Sequence, residues 1–207
     1  TTADFGDAAN DIYTLMPTPI LRGIEYHAAD PDNSEDENYF RITSTSDYTF
    51  MYEMFNASSD LADSRFTYQI ESNINLASIG TERCTFTGAI GATIRGKIIE
   101  NGYKINNNNA VDGEFSDRPT IYYADYENTY ATVEGYNAYG VFPYIAKGTI
   151  KDLNIVVCKK DNNTVTPRTI SLAVSDTSNN NIAAYGAVCG YIDSGIIENV
   201  NIYEQVT

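Results

Sequence analysis

Tyr185-Gly186-Ala187-Val188-Cys189-Gly190-Tyr191-Ile192-Asp193-Ser194-Gly195-Ile196-Ile197-Glu198-Asn199-Val200-Asn201-Ile202-Tyr203 repeats an earlier part of the same chain. The earlier copy reads Tyr139-Gly140-Val141-Phe142-Pro143-Tyr144-Ile145-Ala146-Lys147-Gly148-Thr149-Ile150-Lys151-Asp152-Leu153-Asn154-Ile155. Tyr144 matches Tyr191, Gly148 matches Gly195, Ile150 matches Ile197 and Asn154 matches Asn201, each at an offset of 47 residues. The offset is 46 at Tyr139/Tyr185 and Gly140/Gly186, because the second copy holds one more residue around Cys189-Gly190. Self-similarity at a long fixed period marks a repeat architecture, in which each unit covers the apolar face of the next.

Each copy has the same internal order: a Gly-led apolar run, a second Gly at a turn, then an alternating strand. Val200 and Ile202 alternate with Asn199 and Asn201, which is the period of a strand with one buried face. The first copy does the same with Ile150, Leu153 and Ile155 around Asp152 and Asn154, with one irregular step. If like stacks on like, Ile150 and Ile197 share a ladder or lie one coil apart. A unit of this length holds either two coils of roughly 20–25 residues or one coil with a long insert. The same register aligns Asp152 with Asn199, and sets Lys151 beside Glu198 as an ordinary surface ion pair.

The pattern Gly-x-Val-x-Gly-Tyr-Ile at 186–192, followed by x-Ser-Gly-x-Ile-x-Asn-Val-x-Ile at 193–202, resembles the GLUG motif of bacterial surface proteins. The first copy departs from it at Pro143. Upstream, Thr67-Tyr68-Gln69-Ile70-Glu71-Ser72-Asn73-Ile74-Asn75-Leu76 is similar to the entry of those proteins, with Asn73 where Asp is commoner. The resemblance covers roughly 39–207 and is most specific in the last third. It implies an all-β fold, a right-handed parallel β-helix of the pectin-lyase-like type, and a secreted or cell-surface bacterial setting. The role expected of the segment, from a Tyr-, Asn- and Asp-rich face displayed on such a scaffold, is non-catalytic adhesion or carbohydrate binding. The alternatives are a polysaccharide-degrading enzyme or a pure spacer. The Asn-Thr-Asp, Asp-Asp, Gly-His-Gly and Arg-Ile-Lys signatures of β-helix pectinases are missing from the sequence, which disfavours the enzyme.

Composition agrees with strands and turns: 17 Tyr, 8 Phe and no Trp in 207 residues. With 13 Lys+Arg against 28 Asp+Glu, the net charge is −15. Such a surface repels phosphate backbones and anionic leaflets, so nucleic acid is not an expected partner, and it suits neutral glycans, cations or basic ligands. A glycan or a host or cell-surface partner fits the setting that the resemblance implies. No apolar run is long enough for a membrane span. The last residues lie within or just past a strand, without a polar cap, which predicts a segment tethered within a larger multidomain chain. Cys84, Cys158 and Cys189 include no close pair and no metal spacing, and read as buried, inert thiols.

Residues 1–38 form an N-terminal lead-in, with a short helix over Asp7–Met16 closed by Pro17 and Pro19. Its role is to cap the open end of the first coil. Within it, Asp30, Asp32, Ser34 and Asp36 alternate on an acidic loop, and calcium is the one cofactor such oxygens suggest. Glu35 and Arg41 stand where an EF-hand needs Gly and Glu, and a solvated acidic loop is the simpler reading. Residues 39–207 form the repeat-bearing segment, with copies at 139–157 and 185–203. It opens with a strand at Tyr39–Ile42, a short helix from Tyr48 to Phe55 and a strand over 67–76. An insertion at about 110–138 is rich in Tyr. There Tyr122, Tyr123, Tyr126 and Tyr130, with Asp125 and Asn128, are the candidate ligand-binding residues. Sugar CH faces pack on aromatic rings, and carboxylates and amides bond the hydroxyls. The simpler reading packs these tyrosines beneath the insertion. No residue is a candidate catalyst: the single histidine, His27, has no nucleophile placed beside it.

Overall fold

The computed structural model describes residues 24–76, 86, 88–105, 114–123, 130–133, 136–161, 164–167 and 183–203. The helix expected at 7–16 lies outside these residues. In chain order the elements are β1 (Glu25–His27), β2 (Tyr39–Ile42), α1 (Thr45–Ala57), β3 (Thr67–Ile70), β4 (Ile74–Asn75), β5 (Thr93–Gly96), β6 (Tyr103–Lys104), β7 (Phe115–Ser116) and β8 (Thr120–Tyr123). There follow β9 (Tyr130–Val133), β10 (Tyr136–Tyr139), β11 (Tyr144–Ala146), β12 (Thr149–Asp161), β13 (Thr164–Pro167), β14 (Ala183–Tyr185), β15 (Tyr191–Asp193) and β16 (Ile196–Tyr203). The chain is thus mostly β with a single α-helix among the described residues, as its composition predicts.

The helix starts earlier than its apolar spacing suggests because its cap lies further upstream. Ser44 accepts a hydrogen bond from the Asp47 N–H at 3.1 Å, and Asp47 Oδ2 accepts from the Thr43 N–H and hydroxyl at 2.8 Å. Tyr48, Met51, Tyr52, Met54 and Phe55 are buried in the core. Phe55 meets Tyr68 of β3 edge-on at 5.2 Å, and Tyr52 donates its hydroxyl to the Val141 carbonyl at 2.9 Å. Helix α1 also reaches one end of the strand stack, where Thr45 Oγ1 accepts from the Asn75 N–H of β4.

Three parallel ladders carry the core. In the first, β2, β3, β5, β12 and β16 place Phe40, Tyr68, Ile94, Ile150 and Ile197 in one row. In the second, β4, β8, β12 and β16 align Ile74, Ile121, Ile155 and Ile202. The third aligns Ile90, Ile145 of β11 and Ile192 of β15. The two sequence copies are immediate neighbours in every ladder they share, with Tyr144 on Tyr191, Ile150 on Ile197 and Asn154 on Asn201. Upstream the 46-residue offset persists, with Tyr139 of β10 on Tyr185 of β14. The second unit therefore adds one strand to each ladder that the two copies share.

The irregular step is a corner. Asp152 and Asn199 have φ of 59° and 55°, in the left-handed region that Asp and Asn tolerate better than most residues. Ladder pairing runs from Thr149 to Lys151 and resumes at Leu153, so β12 bends here and serves two ladders. The corners are tied together, Asn199 Nδ2 donating to Asp152 Oδ1 at 2.7 Å. Gly96 stands beside this corner, and a Cβ there would lie 2.0 Å from the Asp152 carbonyl oxygen. An amide ladder runs alongside from the buried Asn154 to the exposed Asn201. Asn154 Nδ2 donates to Ser116 Oγ at 2.8 Å, and its Oδ1 accepts from Asn201 Nδ2 at 3.0 Å.

The stack differs at its two ends. At the start, β1 pairs antiparallel with β2 and α1 covers β4. At the finish, inward positions lose their cover: Ile145, Ile150 and Ile155 are 0 % exposed, whereas their ladder partners Ile192, Ile197 and Ile202 are 45 %, 40 % and 49 % exposed.

Candidate functional site

The tyrosine cluster is only partly brought together. Tyr122 and Tyr123 are buried in β8, so neither presents a ring face to solvent and both are corrected from ligand contacts to packing residues. The physical reason is that β8 is buried on both faces: Thr120, Ile121, Tyr122 and Tyr123 are all buried, and alternation no longer separates a wet face. Tyr130 opens β9, its backbone paired with Tyr139 of β10. Asp125, Tyr126 and Asn128 lie outside the described residues.

Half-buried tyrosines occur instead on the repeat itself. Tyr144 and Tyr191 sit in parallel register with ring centroids 5.3 Å apart and planes at 67°. Both pack against Val133 of β9 and Ala138 of β10. Tyr139 is half-buried nearby in sequence, and its hydroxyl accepts from Asn137 Nδ2 at 3.4 Å. Two residues beyond Tyr191, on the same face of β15, stands the exposed Asp193 carboxylate. Rings in register with an amide and a carboxylate close by in the chain are groups that grip sugar CH faces and hydroxyls. The signal for this pair was the repeat, since Tyr144 and Tyr191 recur at its offset. It reads at first as scaffold alone.

The acidic loop uses its oxygens on itself. Asp36 Oδ2 accepts from the Asp30 N–H at 2.8 Å and Oδ1 from the Glu37 N–H at 3.1 Å, while Asp30 Oδ1 accepts from the Asp32 N–H at 3.0 Å. Both Asp36 oxygens also lie 3.0 Å from His27 Nε2. The Asp30 N–H, and after it the His27 ring, hold the Asp36 carboxyl below its ordinary range. Among the described residues, no three His, Cys, Asp or Glu side chains are placed to hold a metal ion. The set Asp30, Asp32, Ser34 and Asp36 builds turns here. His27 is stacked on Tyr39 at 4.4 Å.

The outward face of the first ladder is charged, and of its residues the repeat register points only to Lys151 and Glu198. Arg41, Gln69, Arg95, Lys151 and Glu198 form one row across β2, β3, β5, β12 and β16. Glu71, next to the end of β3, gathers three of its neighbours: Arg41 Nη2 at 2.9 Å, Gln69 Nε2 at 3.0 Å and Lys97 Nζ at 3.4 Å. Burial pushes the Glu71 carboxyl up, but these hydrogen bonds and charges outweigh it and hold the group below its ordinary range. Arg41 also pairs with Glu25 at 2.7 Å and Arg95 with Glu37 at 2.7 Å, and Arg95 lies over the Tyr39 ring. Arg41, Arg95 and Lys97 are thus already engaged, and the row is a zipper between strands.

Cys189 is a half-buried free thiol, and burial pushes it up to about 11. A thiol in that range is a poor nucleophile at neutral pH. No helix among the described residues is long and apolar enough to cross a membrane. Comparison of the chain with protein-family models, with curated proteins and with solved structures found no match.

Proposed function

We propose that this chain is a right-handed parallel β-helix segment of a secreted or cell-surface protein similar to the GLUG-motif proteins. In this reading it works without catalysis, in adhesion or carbohydrate binding. The observation that carries the reading is the tyrosine pair Tyr144/Tyr191, held in register on a rigid strand stack. A stack of parallel strands fixes the rings before a ligand arrives, so little conformational entropy is lost on binding. A net charge of −15 suits neutral sugars rather than anionic ones.

A glycan array followed by titration calorimetry tests it, with Tyr144→Ala and Tyr191→Ala as variants whose melting transitions are checked first. Binding to a neutral glycan that weakens at least tenfold in both variants supports the reading. No binding to plant, host or bacterial glycans sinks it and favours the spacer. The spacer has one observation of its own: the outward Arg41 and Arg95 of the first ladder are spent on internal pairs. Release of reducing or unsaturated ends from a polysaccharide would replace both readings with the degrading enzyme.

A further inference from the structure

The loop between β1 and β2 is gathered on one carboxylate. Asp36 accepts from the Asp30 and Glu37 N–H groups, and His27 Nε2 of β1 lies 3.0 Å from both of its oxygens. Glu37, the next residue, carries the loop to β5, where its Oε2 accepts from Arg95 Nη1 at 2.7 Å. Tyr39 touches both attachments. Its ring stacks on His27 at 4.4 Å and lies 5.6 Å from the Arg95 guanidinium. Residues 28–38 are thus a strap, tied at one point to β1 and at another to β5.

We infer that this strap is a pH-sensitive latch: protonated His27 holds Asp36, and loss of that proton loosens residues 28–38 and releases Glu37 from Arg95. The chain has a single histidine. Histidine is the side chain that ordinarily changes charge between about pH 5 and 8. One ring nitrogen faces Asp36, so deprotonation replaces an ion pair by at most one neutral hydrogen bond, which is weaker.

The groups around His27 do not take over its part, because carboxylates and guanidinium groups ordinarily titrate outside that range. On β1, Glu25 pairs with Arg41 of β2, and Arg41 pairs again with Glu71 beyond β3. On β5, Arg95 pairs with Glu37 of the strap. Asp30 Oδ1 accepts from the Asp32 N–H within the strap, and Tyr39 of β2 contributes its ring. The Asp30 N–H, and after it His27, hold the Asp36 carboxyl below its ordinary range. Its contribution is therefore present above the ordinary carboxylate value and is lost as pH falls through the depressed one. The latch is closed in mild acid and slackens toward neutral and alkaline pH. The inference rests on these contacts, not on the carbohydrate reading.

The test is NMR of the 207-residue chain, titrated from about pH 5 to 8. His27 gives the one imidazole signal of the chain, so its titration is assigned directly. Amide–water exchange is followed at Asp30 and Glu37, whose N–H groups Asp36 holds, and at Gly102, bonded to the Ile99 carbonyl, as the reference. After correction for intrinsic rates, protection of Asp30 and Glu37 should fall about fivefold as pH rises, the scale of an exposed ion pair. The midpoint should coincide with the imidazole titration, and Gly102 should stay constant. His27→Gln keeps a donor without the charge, and Asp36→Asn removes the carboxylate. Both should lose the step, each with a melting transition first matched to that of the parent. Protection in the parent that is unchanged over the range, a midpoint apart from the imidazole titration, or a step that survives in either variant would overturn the latch.

Discussion

Ile150 and Ile197 occupy the same place in two copies of one sequence and are direct ladder partners, yet one is fully covered and the other 40 % exposed. Their truncation therefore measures what stacking contributes at a single chemical position. Replacing Ile by Ala removes three carbons, about 2.4 kcal/mol at roughly 0.8 kcal/mol per buried methylene. At Ile150, between Ile94 and Ile197, the neighbours cannot close the gap, and the cavity raises the loss to about 3–4 kcal/mol. At Ile197 part of the side chain is already wet and no enclosed cavity forms, so the loss is about 1–1.5 kcal/mol. For a chain of this size, each kcal/mol moves Tm by roughly 2–4 °C. Differential scanning calorimetry of Ile150→Ala and Ile197→Ala should show the first variant melting at least about 3 °C below the second. Equal losses, or a larger loss at Ile197, would refute the assignment of Ile197 to an uncovered end.

Other consequences can be checked one by one. Asn154→Ala should cost about 1–3 kcal/mol in urea unfolding, because Ser116 and Asn201 lose a buried partner, and Asn201→Ala should cost less. Gly96→Ala should lower the midpoint more than Ala substitution at an exposed position, since the new Cβ meets the Asp152 carbonyl; an unchanged midpoint would dismiss the corner contact. Glu71 is held below its ordinary range in the folded chain, so its contribution is present above the unfolded value and is lost as pH falls through the depressed one. Acid unfolding of Glu71→Gln should therefore be shallower than that of the parent as pH falls from the ordinary carboxylate value through the depressed one, and parallel curves there would contradict the Arg41–Glu71–Lys97 cluster. Cys189, pushed up to about 11, should alkylate in the native chain at pH 8 more than tenfold slower than in denaturant, read by peptide mass spectrometry.

Much of the architecture could be read from the repeat. Gly148/Gly195, Ile150/Ile197 and Asn154/Asn201 give the register directly, and the change of offset at Tyr139/Tyr185 is present in the pairing of β10 with β14. The strand at Tyr39–Ile42 and the inward set Tyr68, Ile70, Ile74 and Leu76 also follow from alternation. Other features resist a one-dimensional reading. The charged row Arg41, Gln69, Arg95 and Lys151 has unequal spacings because loops of different length join its strands, so no period announces it. Tyr122 and Tyr123 looked like display residues because acidic neighbours surround them in sequence. Burial on both faces of β8 is a property of what packs there, which local composition does not carry. The exposure of Ile197 is likewise invisible in its own residues, since Ile150 has the same surroundings in sequence and the opposite environment.

The central claim is the parallel, in-register stacking of the two copies at an offset of 47 residues. The most direct measurement is disulfide trapping in a chain whose Cys84, Cys158 and Cys189 are replaced by serine. Lys151→Cys with Glu198→Cys places two cysteines on directly paired positions of neighbouring strands, about 5 Å apart and within disulfide reach. Lys151→Cys with Asn201→Cys shifts one partner three residues along the strand, roughly 10 Å away. Rapid, near-complete oxidation of the first pair and little of the second is the predicted result. Efficient trapping of the shifted pair, or of neither, would contradict the register on which the whole account rests.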